Sequence, residues 1–254
     1  MPIAGIASAK HKLRRALLHI DDLDGQIQSY HTDNPVDVEI RTTDRYGWPE
    51  AMECEVVVIN DPPSEVPDEW GLVAGDALTN MRAALDHAVH PHSWNFPTII
   101  KKIEEGSSPL GCIYSDAVTA IIESHQPRNV DVPRLHPLGM LCELVNTDKH
   151  RQLLVANHVS ARLNVQQTGE FEVTEQEDFR KDDLRRGDVI CKFRVKPVNA
   201  EAEKVTLTYR YRLDASPIID IPETSEYRPI VPTLRAIHEE VGVILDELDT
   251  AGMP

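Results

Sequence analysis

Residues 189–213 read VICKFRVKPVNAEAEKVTLTYRYRL. Val189, Cys191, Phe193 and Val195 alternate with polar residues, and so do Val205, Leu207, Tyr209, Tyr211 and Leu213. A period of two gives each segment one apolar and one polar face, which predicts strands of an antiparallel sheet covered on one side. Asn199 to Glu203 supplies the hairpin turn between them. Upstream, Val159, Ala161, Leu163 and Val165 continue the alternation, so the strand block covers about 157–221.

The pattern changes on either side. Leu13, Leu17, Ile20, Leu23 and Ile27 recur at helical spacing and predict a helix over 7–31, ended by Asp33-Asn34-Pro35. Val36, Val38 and Ile40, then MECEVVVI at 52–59, predict two strands within 36–59, with Tyr46-Gly47-Trp48-Pro49 at their turn. Further helices are expected at 71–90, 115–125, 135–156 and 230–249. The stretch around Pro91, Pro97, Gly106 and Pro109 reads as irregular, and the acid-rich stretch 170–188 as a solvated hairpin or loop. No linker separates two domains. The expectation is one α+β domain over 1–254, an antiparallel sheet with helices packed on one face.

The chain has 254 residues, with 42 acidic and 26 basic side chains and a net charge of -16. Such a surface repels nucleic acid and anionic lipid on average, without forbidding a local basic site. Lys10, Lys12, Arg14 and Arg15 make one helix end locally positive. Cys54, Cys112, Cys142 and Cys191 are dispersed, which suits reduced, buried thiols of a cytoplasmic protein. No secretory signal or membrane-length apolar run is visible, and no cofactor motif is present.

Two helices carry the chemistry. In GLVAGDALTNMRAALDHAVHPH at 71–92, Asp76, Asn80 and His87 fall within about 40° of one another, opposite the apolar stripe, and Arg82 and Asp86 line an adjacent flank. In LHPLGMLCELVNTDKHRQLLVA at 135–156, Asp148 projects into the stripe of Leu138, Leu141, Leu144, Val145 and Val155, beside Gln152. A carboxylate placed there needs a partner, and Arg82 or His87 is the most economical one. His87, His90 and His92, with Asp86 or Asp76, are a further candidate metal set, although Pro91 breaks the helix between them. The structural alternative for these three imidazoles is a polar helix C-terminus.

The runs Gly75-Asp76-Ala77-Leu78, Asn80-Met81-Arg82-Ala83-Ala84-Leu85-Asp86-His87 and Asn146-x-Asp148-Lys149-His150-Arg151 resemble a family of uncharacterised bacterial and phage proteins. That resemblance covers about a quarter of the chain and implies no activity. Arg82-x4-His87 also resembles the R-x4–6-H motif of HEPN domains, which are helical, usually dimeric and often metal-independent endoribonucleases. That likeness implies RNA as substrate, a homodimer, Arg82 stabilising the phosphorus transition state and His87 moving protons. Asp148, His150 and Arg151 would complete the site, supported by Asp76, Asn80, Asp86, Asn146 and Lys149. The competing expectation is a binding or interaction protein without catalysis, its polar helix pair a structural network. Exposure of Arg82 and His87 separates the two: an open cleft suits an enzyme, a sealed network suits structure.

Overall fold

The computed structural model describes residues 5–43, 51–61, 63, 65–90, 92–93, 95–100, 114–151, 153, 155–165, 171–181, 184–198 and 209–254. The fold is α+β, and every described strand pairing is antiparallel. Contacts gather into two compact units, one from residues 1–27, 67–155 and 218–254, the other from 28–66 and 156–217. The expected turns at 46–49 and 199–203, together with Gly106, Pro109, Cys112 and Gln152, lie outside the described residues.

The first unit is helical. Its helices are α1 (Ile6–Asp33, belonging here to Ile27), α2 (Glu69–Val89), α3 (Asp116–Ser124), α4 (Pro137–His150) and α5 (Ile230–Thr250). Each buries the stripe that its spacing dictates. In α1 the stripe is Ala9, Leu13, Ala16, Ile20, Leu23 and Ile27, and in α5 it is Leu234, Ile237, Val241, Ile244, Leu245 and Leu248. Trp70, Phe96, Leu78, Met81, Ile122 and Leu141 are among the fully buried side chains. Among the described residues, no helix is long and apolar enough to cross a membrane.

The expected helix over 135–156 stops earlier. Arg151 turns extended, with φ -160° and ψ 154°, and its N–H returns to Thr147 O. The buried stripe ends at Val145, and the polar run from Asn146 to Arg151 supplies nothing apolar to continue it. Val155 opens a strand instead. At the other end of α4, Gly139 is pressed against a short 3-10 turn, Pro133–Leu135.

The second unit holds β1 (Val38–Thr43), β2 (Met52–Val58), β4 (Phe171–Asp178) and β6 (Val189–Pro197), in the spatial order β1-β2-β6-β4. Strand β3 (Val155–Val165) pairs with β5 (Arg180–Lys181). Strand β7 (Tyr209–Ile221) ends in the first unit, where Ile218–Ile221 pair with β8 (Glu226–Pro229). Cys54, Val56, Val58, Cys191, Phe193 and Val195 form the apolar face of the four-stranded sheet.

Strand β4 occupies much of the stretch expected to be a solvated hairpin or loop. Its acids do not prevent pairing because the sheet's polar face alternates in sign across strands. Arg41 lies opposite Glu55, Glu55 opposite Lys192, and Lys192 opposite Glu177. In the next row Glu53 faces Arg194, which faces Glu175. Lys192 Nζ reaches Glu55 at 2.7 Å, and Arg194 Nη1 reaches Glu175 at 2.7 Å. Opposite charges on directly facing residues favour one register.

A Cβ built at Gly139 would sit 2.0 Å from the backbone oxygen of Pro133. Backbone cannot yield as a side-chain tip can, so Gly139→Ala is expected to cost about 1–3 kcal/mol, as other overpacking does. Thermal denaturation of the variant measures this, and an unchanged melting temperature would contradict the close approach.

Candidate functional site

Helices α2 and α4 pack together with their chains antiparallel. Gly75 is the contact point near one end, where a Cβ would lie 2.5 Å from Asp148 Oδ1. Near the other end, the charge of Arg82 acts on Cys142. This places Asp148 seven residues along α2 from Arg82, roughly 10 Å of helix. Among the described residues Asp148 therefore makes no ion pair with Arg82 or His87, the partners expected from sequence. Its carboxyl is held above the usual carboxylate range, first by burial and then by the neighbouring charge of Asp76.

Arg82 is turned to a different task. Its Nε donates to Asp86 Oδ2 at 3.3 Å, and Nη2 lies 3.0 Å from Asp86 Oδ1. Nη2 also donates to Phe96 O at 2.9 Å, and Nη1 to Thr98 Oγ1 at 3.2 Å. Asp86 Oδ1 accepts from Phe96 N at 2.8 Å. One i,i+4 pair thus satisfies both backbone groups of Phe96, whose ring is 1% exposed. Gln126, fully buried, treats the next residues in the same way: Oε1 accepts from Ile99 N at 2.8 Å, and Nε2 donates to Pro97 O at 3.1 Å. The segment 96–99 is therefore an irregular strap in which side chains satisfy both backbone groups of Phe96, the Pro97 carbonyl and the Ile99 N–H, while the Ile99 carbonyl accepts from Arg128 N at 3.0 Å.

His87 points elsewhere. Five helical residues place it about 140° around α2 from Arg82. Its Nδ1 shares a 2.8 Å hydrogen bond with Ser8 Oγ on α1, and its carbonyl accepts from Gly5 N at 2.9 Å. His87 therefore anchors the start of α1. Gly5 is required there, since φ is +105° and a Cβ would lie 2.3 Å from Pro254 O.

The remaining candidates are spread along the two helices. Asn80 Nδ2 donates to Asp76 O one turn back at 2.8 Å, and Asn146 Nδ2 lies 3.8 Å from Cys142 Sγ. Asp76 is exposed, as are Lys149, His150 and Arg151 around the C-terminus of α4. The structure thus joins Arg82 to Asp86 and places Asp76 beside Asp148, while Arg82, His87, His150 and Arg151 do not form one group. His90 and His92 lie at and beyond the end of α2, and the His92 ring meets Tyr114 edge-on with centroids 5.9 Å apart. Among the described residues no group of His, Cys, Asp or Glu is arranged to hold a metal ion. Burial pushes the Cys54 thiol up to about 11, with Glu53 adding to it, which leaves that sulfur protonated and inert.

A second polar cluster was not anticipated. His125, at the end of α3, has Nδ1 2.8 Å from Glu240 Oε1 and Nε2 3.0 Å from Glu247 Oε2. His136 Nε2 lies 3.9 Å from the same Glu240 oxygen, while its Nδ1 accepts from Leu138 N and caps α4. Burial lowers the His125 pKa, but the two glutamates outweigh it and the net value is raised. Burial lowers that of His136, Glu240 opposes, and His125 adds to the lowering, so the net value falls. The sequence signal was faint: Glu240 and Glu247 are seven apart on one face of α5, more than a hundred residues from His125.

Comparison of the chain with protein-family models, with curated proteins and with solved structures finds no match.

The two histidines act in opposite senses on stability. A raised His125 stabilises fully below its unfolded value of 6.5, and that contribution is lost as pH rises through the higher folded value. A lowered His136 costs stability as pH falls below 6.5 toward its folded value. Their joint contribution therefore peaks near pH 6.5. Denaturant unfolding across pH should show that His125→Ala flattens the alkaline limb. His136→Asn, which retains a capping side chain, should shrink the acid limb. Limbs unchanged in both variants would contradict the assignment.

Proposed function

We propose that this chain is a non-catalytic binding or interaction protein of the cytoplasm, in which the polar residues of α2 and α4 form a structural network. The observation that carries this reading is that every nitrogen of the Arg82 guanidinium is engaged within the chain. A phosphate-binding arginine must offer N–H groups to the phosphoryl oxygens. Here Nε, Nη1 and Nη2 all donate within the molecule, and the side chain is 20% exposed. His87 diverges from Arg82 and is held by Ser8, so the pair does not converge on one reacting atom as general acid–base chemistry requires. The buried thiols support a reducing compartment, and the acidic surface supports a protein partner over RNA.

The HEPN-like ribonuclease reading makes the opposite forecast, so one experiment separates them. Purified protein is incubated with total RNA, with and without chelator, beside Arg82→Ala and His87→Ala. The expected result is no cleavage by any sample. Arg82→Ala should lose about 2–3 kcal/mol of stability, because it strands Asp86 and the Phe96 carbonyl. His87→Ala should lose about 1 kcal/mol for one neutral hydrogen bond. RNA cleavage that His87→Ala abolishes at unchanged melting temperature would overturn the proposal.

A further inference from the structure

The basic start of α1 and the acidic end of α5 take no part in the network around Arg82. The last turns of α5 carry Asp246, Glu247 and Asp249 and no basic residue, so carboxylates crowd the negative end of the helix dipole. The first half of α1 carries Lys10, Lys12, Arg14 and Arg15 with no acid in its first turn, so cations crowd the positive end. Lys10 and His125 offset part of this within the chain: Lys10 reaches Asp246 at 2.9 Å and Asp249 at 2.7 Å, and His125 Nε2 lies 3.0 Å from Glu247, which stays 47% exposed. Arg14 and Arg15 are exposed and have no ion-pair partner among the described residues.

Between α3 and α5 runs a groove of about 480 Å³ with Ile121, Val243 and Ala251 on its apolar side and Asp246, Glu247 and Thr250 on its polar side. Val243 is 43% exposed and Asp246 75% exposed. Val243, Asp246 with Glu247, and Thr250 follow the i, i+3, i+4, i+7 spacing of a single helix face. On α1, His11, Arg14 with Arg15, and Leu18 repeat that spacing with the charges reversed, and Leu18 is 64% exposed.

We infer that the groove between α3 and α5 receives the outer face of α1 from a second copy of this chain. Antiparallel docking sets Leu18 over Val243, Arg14 and Arg15 over Glu247 and Asp246, and His11 over Thr250, in one unbroken register. Both stripes span seven residues, roughly 10 Å of helix. The same docking brings the positive end of one helix dipole to the negative end of the other. Within one protomer α1 and α5 lie side by side, with Arg235 Nη2 3.0 Å from Asp21 and Leu13 against Gly242. Both patches are thus presented together, and a two-fold dimer uses each of them twice. This interface goes beyond the binding reading above and does not involve Arg82 or His87, so either conclusion can fail alone.

Sedimentation velocity over a concentration series tests it on the full chain. The wild type should dimerise, with association weakening as salt rises. The double variant Arg14→Glu, Arg15→Glu should associate roughly tenfold more weakly or worse, as should Asp246→Lys, Glu247→Lys, because like charges then face each other twice. An equal mixture of the two variants should dimerise again, since each reversed patch meets a complementary one. Circular dichroism checks that both variants keep the wild-type fold, and the salt series on the wild type stands if one does not. A wild type that stays monomeric at every concentration, a dimer indifferent to both variants, or a mixture that fails to associate would each overturn the inference.

Discussion

The backbone of Phe96 is gripped from two sides by one ion pair. Asp86 accepts from its N–H, Arg82 donates to its carbonyl, and the two side chains bind each other one helical turn apart. A chain segment that leaves a helix without entering a sheet carries donors and acceptors that must be satisfied before it can be buried. Arg82, Asp86 and Gln126 supply partners for the Phe96 N–H and carbonyl, the Pro97 carbonyl and the Ile99 N–H. That permits the Phe96 ring to fill the core from an irregular segment. Gln126 is itself fixed from below by donation to Ile122 O at 2.8 Å, which ties the strap to α3.

This arrangement bears on function through the number of hydrogen bonds an arginine can make. A guanidinium has five N–H donors in a fixed fork. Here four contacts from its three nitrogens serve a carboxylate, a hydroxyl and a carbonyl within the chain, at distances of 2.9–3.3 Å. Freeing them for a ligand would strip the strap of its partners and expose Phe96. On the proposed reading, the motif that looks most like chemistry in the sequence is explained by folding. Arg14 and Arg15, exposed on α1, have no ion-pair partner among the described residues.

Periodicity made much of the architecture legible. The stripes of α1, α2 and α5 and the alternation in β6 decide the fold class because both periods follow from backbone geometry. The end of α4 was not legible, since Leu153 and Val155 mimic a continuing helical stripe while belonging to the approach to β3 and to its first residue. Strand β4 falls inside the expected strand block, but its glutamates leave hairpin and loop equally open, because their partners Lys192, Arg194 and Lys196 lie on a separate strand. At the site, Arg82 and Asp86 were recognisable as an i,i+4 pair. Their backbone acceptor and donor at Phe96 were not, because a main-chain group leaves no mark in a sequence. Economy pairs Asp148 with Arg82 or His87, whereas antiparallel packing sets it level with Gly75 and Asp76.

Native-state hydrogen exchange at the Phe96 amide tests the central claim most directly, since that proton is held by a side chain and not by any ladder. The account predicts an exchange rate close to that of core amides in α2, and a large acceleration at this amide in Asp86→Ala. A Phe96 amide that exchanges in the wild type as fast as an open loop, or that is indifferent to removal of Asp86, would contradict it.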